Sequence, residues 1–319
     1  MKNVKFLIFL LIISAVYLLM ISSGGQLINP FSAHAGSPGH YILFNLRIPR
    51  IAAASLIGAC LSLSALIFQS IFRNPLAEAY TTGVSGGASF AAALAIIAAF
   101  PMKYVPLFAF AGSCISAILT IAAAKRFQLT DSRLILFGVS LNMFFSSGVM
   151  LLFSFSESRA VHKALSWMMG DISIARFELI PVITAVFIVC LVFTAFSSEK
   201  LNIISFGDSF RISSGVKNSE VYFLFIAGGA LVAASVSAAG IIPFVGIIIP
   251  HICRYFFGEN RKKLIFIVPI AGAVFLALCD TVSRSIFYPF EIPAGIITGF
   301  IGGGFFLAVI FKGTLNKSL

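Results

Sequence analysis

The chain has 319 residues, 59% of them hydrophobic and only 10% charged, with a formal charge of +11. Soluble domains carry about a quarter charged residues, so an ordinary soluble enzyme or binding domain is excluded. The expected fold class is an all-α membrane protein, one polytopic bundle of transmembrane helices forming a single domain over residues 1–319.

At about 20 mainly apolar residues per crossing, ten transmembrane helices are expected. They lie near 6–22, 51–72, 84–100, 105–124, 134–155, 179–197, 221–239, 241–257, 264–283 and 292–311. With the N-terminus in the cytoplasm, 15 of the 22 Lys and Arg fall inside and seven outside, the bias that sets orientation. Ten crossings return the C-terminus, with Lys312 and Lys317, to the cytoplasm, so both termini are expected there. The basic charge then reports topology and calls for no nucleic acid.

The run 6–22 follows Lys2 and Lys5 as a signal peptide would. Met20 to Gly24 is a poor cleavage site, however, and further spans follow, so it reads as a retained helix. The next loop holds His34 and His40, six apart without a carboxylate or thiol nearby, which argues against a metal or haem site. At the mouth of the second span, LRIPR sets Arg47 and Arg50 on either side of Pro49. Proline suits a first helical turn, and the i, i+3 spacing puts both guanidinium groups on one face. They stand outside, against the charge bias, at a helix N-terminus where a cation costs roughly 0.3–1 kcal/mol. Two readings stay open: snorkelling to lipid phosphates, or docking acidic residues of a soluble partner through bidentate pairs.

Asn74-Pro75 ends the second span by denying a donor and restricting the preceding residue, and the loop Phe72 to Glu78 is expected to face the cytoplasm. Gly83 and Gly87, and again Gly299 and Gly303, have the G-x-x-x-G spacing that lets helices approach closely in lipid. The outer loop 156–178 places Val161, Ala164, Leu165, Met168 and Met169 at helical spacing, with His162, Lys163 and Ser166 opposite. That pattern predicts a short helix lying in the interface, with Trp167 at headgroup depth. The inner loop 199–218 reads EKLNIISFGDSFRISSGVKN; Ser205 and Asp208 have the spacing of a helix cap, and Gly215 is a natural stop. His251 and Arg254, in GIIIPHICR, read as structural groups at a helix end. Arg284, in DTVSR at the outer end of the ninth span, can supply a third positive group beside Arg47 and Arg50.

Cys60, Cys114, Cys190, Cys253 and Cys279 stand singly, so neither a disulfide framework nor a thiolate metal site is expected. No Asp, Glu, Lys or Arg occupies the middle third of a span, which argues against a secondary transporter. A G-x-x-x-x-G-K-[ST] loop and hydrolytic constellations are missing from the sequence. The chain is therefore expected to be no enzyme, and any ATP would be hydrolysed on another chain. A non-transporting membrane receptor is the remaining alternative of another class.

In order along the chain, LRIPR, NPLAEAYTTGVSGGA, WMMG, LNIISFG, PFVGIIIPHICR and EIPAGIITGFIG resemble the FecCD-type permease subunits of bacterial ATP-driven importers for iron-siderophores, haem and vitamin B12. The resemblance covers about residues 42–311. It implies that Arg47, Arg50 and Arg284 dock a periplasmic or lipid-anchored substrate-binding protein. It makes Ser205, Phe206, Gly207, Asp208, Phe210, Arg211 and Gly215 the element coupled to two cytoplasmic ATPase subunits, which would hold ATP and Mg. Ser209-Phe210 departs from the small residues usual in the family, which bears on which ATPase pairs here. Asn74, Leu76, Thr130, Asp131 and Ser132 would lie at a cytoplasmic gate, and Trp167, Met168 and Met169 at the pathway entrance. The fifth and tenth spans would line a pathway shared with a second permease, an identical copy or a relative. No cofactor or metal is expected on this chain itself. A ferric siderophore is the first cargo, haem or cobalamin the alternative, and the bacterial cytoplasmic membrane the location.

Overall fold

A computed structural model describes residues 14–23, 34, 37–127, 131–174 and 177–315, and every regular element among them is helical. Residues 14–22 are helical. Ser37 caps the next helix, its hydroxyl accepting from the His40 N–H at 3.2 Å with Pro38 in the first turn. That helix starts as Pro38–Tyr41, widens to a π-helix over Ile42–Arg47 and continues as α1, Ile48–Phe72. The wide turn falls where Pro49 withholds the donor that the Asn45 carbonyl would otherwise take. Since the helix begins at Pro38, Arg47 and Arg50 lie well inside it. The expected helix-dipole penalty at its N-terminus does not apply.

The other elements are α2 (Val84–Ile97), α3 (Val105–Phe127), α4 (Asp131–Ser154), α5 (Ser158–Met168), α6 (Ile180–Phe196) and α7 (Ser198–Ser205). They continue with α8 (Asp208–Ser213), α9 (Asn218–Ala239), α10 (Val245–Phe257), α11 (Arg261–Ser283) and α12 (Ala294–Leu315). By length and apolarity, α1 with its leading turns, α3, α4, α9 and α11 can each cross a membrane. α6 joins them when counted with α7, from which it is bent by 66°. α2, α10 and the apolar part of α12 are shorter. The helix expected at 51–72 begins well before it, at Pro38; much of the run 6–22 lies outside the described residues.

α1 is the axis, buried along most of its length, with α9, α10 and α11 packed around it. Lipid offers no hydrophobic drive between helices, so close packing decides which faces meet. A Cβ at Gly58 would run into the Gly272 carbonyl of α11, and one at Gly272 into the Ser62 hydroxyl. Gly87 and Gly112 make the same close approach between α2 and α3, while Gly83 faces Gly138 of α4. The first G-x-x-x-G pair thus serves two different neighbours. The second behaves otherwise: a Cβ at Gly299 would reach only the Pro243 ring at 4.0 Å, and one at Gly303 open space.

Two stretches of non-helical backbone, 73–83 before α2 and 240–244 before α10, meet inside the bundle. A small cavity there is lined by Leu61, Glu78, Ser85, Val236, Ile241 and Gly246. Backbone at such depth must be satisfied by protein. Gln69 Nε2 donates to the Gly246 carbonyl at 3.0 Å, and Arg254 Nη1 donates to Gln69 Oε1 at 2.6 Å. Ser116 Oγ donates to the Gly83 carbonyl at 2.7 Å. Glu78 lies beside Ala65 and Gly246. Ala65 is seven residues, or about 10 Å of helix, from the end of α1. Arg73, Pro75 and Leu76 stay exposed at the end of α1, and the chain has turned back into the bundle by Glu78.

Candidate functional site

At the end of the molecule assigned to the outside, Arg47, Arg50 and Arg284 come together around Asp280. Arg47 Nη1 donates to the Ile21 and Ser22 carbonyls at 3.0 and 2.9 Å. Arg284 Nη2 donates to the Met20 carbonyl at 2.8 Å and to Thr281 Oγ1 at 3.3 Å. Both arginines are buried, each 6% exposed. They serve the last carbonyls of helix 14–22, which have no acceptor role left within their own helix. Arg50 is held by Asp280 on its Nε and Nη2 edge at 3.0–3.1 Å, and by Glu291 on Nη1 at 2.7 Å. Three cations and two carboxylates leave the cluster at +1. Glu291 and Asp280 are the members that the arginine motif could not reveal, because they come from the far end of the chain.

The opposite end holds the loop 199–218, now α7 and α8. Leu201 and Ile204 anchor α7 in the core, and Asn202 Oδ1 accepts from the Arg261 N–H at 2.9 Å, closing the first turn of α11. Arg261 Nε in turn donates to Ser70 Oγ of α1 at 3.1 Å. Exposed Glu199 pairs with Lys262, whose hydrogen bond and charge hold that carboxyl below the usual range. The expected Ser205 cap is not formed. Ser205 is the last residue of α7 and its hydroxyl donates to the Asn202 carbonyl at 2.6 Å. Gly207, at φ +113°, stands in the capping position of α8, a backbone angle that suits glycine.

Asp208 opens α8 and accepts from Arg211 Nε at 3.1 Å and Arg73 Nη2 at 3.4 Å, tying α8 to the end of α1. Arg211, itself buried, also donates to the Val216 carbonyl at 3.0 Å. Gly215, at φ +78°, ends the helix, with Val216 N–H reaching back to the Arg211 carbonyl at 3.1 Å. This frame leaves Phe206, Phe210 and Ile212 exposed, with the two rings edge-on at 5.5 Å. Beside them opens a cavity of about 470 Å³ bordered by Arg73, Lys125, Asp208, Arg211, Asn218 and Tyr222.

Of the expected gate residues, Asn74 makes a local turn, its Oδ1 accepting from the Leu76 N–H at 2.8 Å, and Leu76 is exposed. Thr130 lies outside the described residues; Asp131 and Ser132 begin α4.

The outer loop does form a helix, α5, but its orientation differs from expectation. Ala164 and Trp167 are buried, Met168 partly so, while Leu165 and Met169 are exposed. Trp167 is 3% exposed and packs into the core, its ring covered by protein. The reason is a three-way junction. A Cβ at Gly240 would strike the Trp167 carbonyl, one at Gly170 the Ile241 carbonyl, and one at Gly295 the Met169 carbonyl. Gly295 N–H donates to the Gly170 carbonyl at 2.9 Å. The end of α5, the break between α9 and α10, and the start of α12 are thereby locked together. His34 is exposed and His40 stacks on Phe44 at 4.4 Å; among the described residues no three His, Cys, Asp or Glu come together. Arg254 and His251 keep to helix packing, His251 against the Phe305 ring.

Residues 6–312 match the sequence pattern of the FecCD transport family. The vitamin B12 import system permease of Vibrio vulnificus is 32% identical, over 95% of this chain and 91% of its own. The iron(3+)-hydroxamate import system permease of Bacillus subtilis is 31% identical, over 85% and 84% respectively. Among solved structures, an inward-facing ABC transporter assigned to the metal-chelate type superposes with a TM-score of 0.83 at 29% identity, over 95% of this chain and 96% of that one.

Proposed function

The chain belongs to the FecCD transport family, and from that premise we propose that it carries ferric siderophores as the permease subunit of an ATP-driven importer. The family match over residues 6–312 carries this reading. Cargo enters from a substrate-binding protein outside and passes between this permease and a second copy, while ATP and Mg are held by two ATPase subunits inside. The ferric choice rests on iron-chelate permeases among the relatives, such as the Bacillus subtilis hydroxamate system. Haem and cobalamin are the alternatives, the latter through the Vibrio vulnificus relative.

Two features of the molecule support the partner assignments. The cluster of Arg47, Arg50 and Arg284 carries net positive charge at one end, the sign that attracts carboxylates of a docking protein. At the other end the pinned α7–α8 unit presents Phe206, Phe210 and Ile212 outward, an apolar patch on a rigid base that suits a groove on an ATPase. Asn74, Leu76, Thr130, Asp131 and Ser132 are assigned to the inner gate and Trp167, Met168 and Met169 to the entrance. Ten crossings with both termini in the cytoplasm complete the proposal, and the membrane is the bacterial cytoplasmic membrane.

The deciding experiment is uptake of radiolabelled iron from a ferric-siderophore panel by cells with and without this gene. Loss of one chelate class, restored by the wild-type gene, is the expected result. Intact iron uptake with loss of haem or cobalamin uptake would reassign the cargo.

A further inference from the structure

Arg50 has two acidic partners of very different character. Asp280, on α11, is fully buried and grips the Nε and Nη2 edge. Glu291, just before α12, has a half-exposed side chain and takes Nη1 end-on. The first contact is a buried two-point pair, held by helix packing. The second is a one-point pair at the surface, on a segment whose neighbours Ser285 to Phe290 are all exposed. Such exposed pairs exchange readily and are screened by salt.

The outward donor of Arg50 is thus already occupied by a carboxylate of the chain itself. We propose that Glu291 is a built-in competitor, which holds the outward edge of Arg50 in the undocked permease and is displaced by an acidic residue of the incoming binding protein. Asp280 stays in place throughout and keeps the guanidinium oriented. Glu291 therefore sets how acidic a partner must be to dock, because only a carboxylate presented in a better geometry than its own gains the site. Its release frees the turn that leads through Pro293 to Gly295, whose N–H is bonded to the Gly170 carbonyl at the end of α5. This inference rests on the docking role proposed above for the arginine cluster.

The test measures the affinity of the purified binding protein of the same transport system, loaded with ferric siderophore, for the assembled transporter in nanodiscs at low salt. Glu291→Gln is expected to bind about two- to fivefold tighter, the range of an exposed ion pair. Arg50→Gln with Asp280→Asn removes the buried pair as a unit, so that neither charge is left unpaired inside. That double variant is expected to dock more weakly and to be indifferent to the Glu291 change. If the double variant weakens docking but Glu291→Gln does not tighten it, the competitor is ruled out and the docking role stands. Tightening of equal size in both backgrounds would also overturn it, since Glu291 would then act as a general negative charge. An unchanged affinity of the double variant would overturn the docking role and this inference together.

Discussion

Gly240 shows how little room one residue leaves at the junction of α5, α9 and α12. It combines φ +73° with a carbonyl where a side chain would go. An alanine there must strain the backbone and push the Trp167 carbonyl away, at roughly 1–3 kcal/mol. Gly240→Ala is accordingly expected to lower the thermal midpoint of the purified protein; an unchanged midpoint would refute the reading of the junction as locked. Side-chain direction was the part of the site that sequence did not disclose. Helical spacing found α5, but whether Trp167 faces lipid or core depends on glycines 73 and 128 residues downstream. Likewise, LRIPR marks Arg47 and Arg50 as unusual, yet their partners are carbonyls before them and carboxylates far after them.

Among elements, α7 and α8 behave as one piece pinned at three points. Leu201 and Ile204 bury in the core, Asn202 closes the first turn of α11, and Asp208 joins Arg73 to Arg211. The exposed rings of Phe206 and Phe210 stand clear of these anchors. Replacing both by alanine is expected to leave folding intact and to weaken ATPase association. Co-purification of the ATPase should fall while the thermal midpoint of the permease alone stays put; full co-purification would remove the rings from the contact. Gly215 was readable as a stop because its φ demand is local. The Ser205 cap was misread because the chain kept helical geometry through Ser205, leaving Gly207 to start α8. The break at Gly240 was visible as a lone glycine, but the return of 73–83 into the bundle was not. It depends on Ser116 of α3 satisfying the Gly83 carbonyl, and on Gln69 of α1, itself held by Arg254, satisfying the Gly246 carbonyl at the start of α10.

Across the whole molecule, apolar runs made the all-helical class legible, since lipid demands it. Packing order was not legible, because close approach of Gly58 to Gly272 pairs elements more than two hundred residues apart. The charge pattern concentrates a positive cluster at one end and an apolar patch with basic surroundings at the other. Docking at the first end is therefore expected to weaken steadily as salt rises from about 0.05 to 0.5 M, read by binding-protein affinity for the transporter in nanodiscs. ATPase association through Phe206 and Phe210 should change far less over the same range. Equal salt sensitivity at both ends would contradict this division of labour.

Trp167 is the chain's single tryptophan, and it sits where α5, the α9–α10 break and α12 are sealed by glycines. Indole emission depends on the polarity around the ring. The permease thus carries an intrinsic fluorophore at the joint between its outer helix and α12, and any opening there is written into the colour of its light without a label.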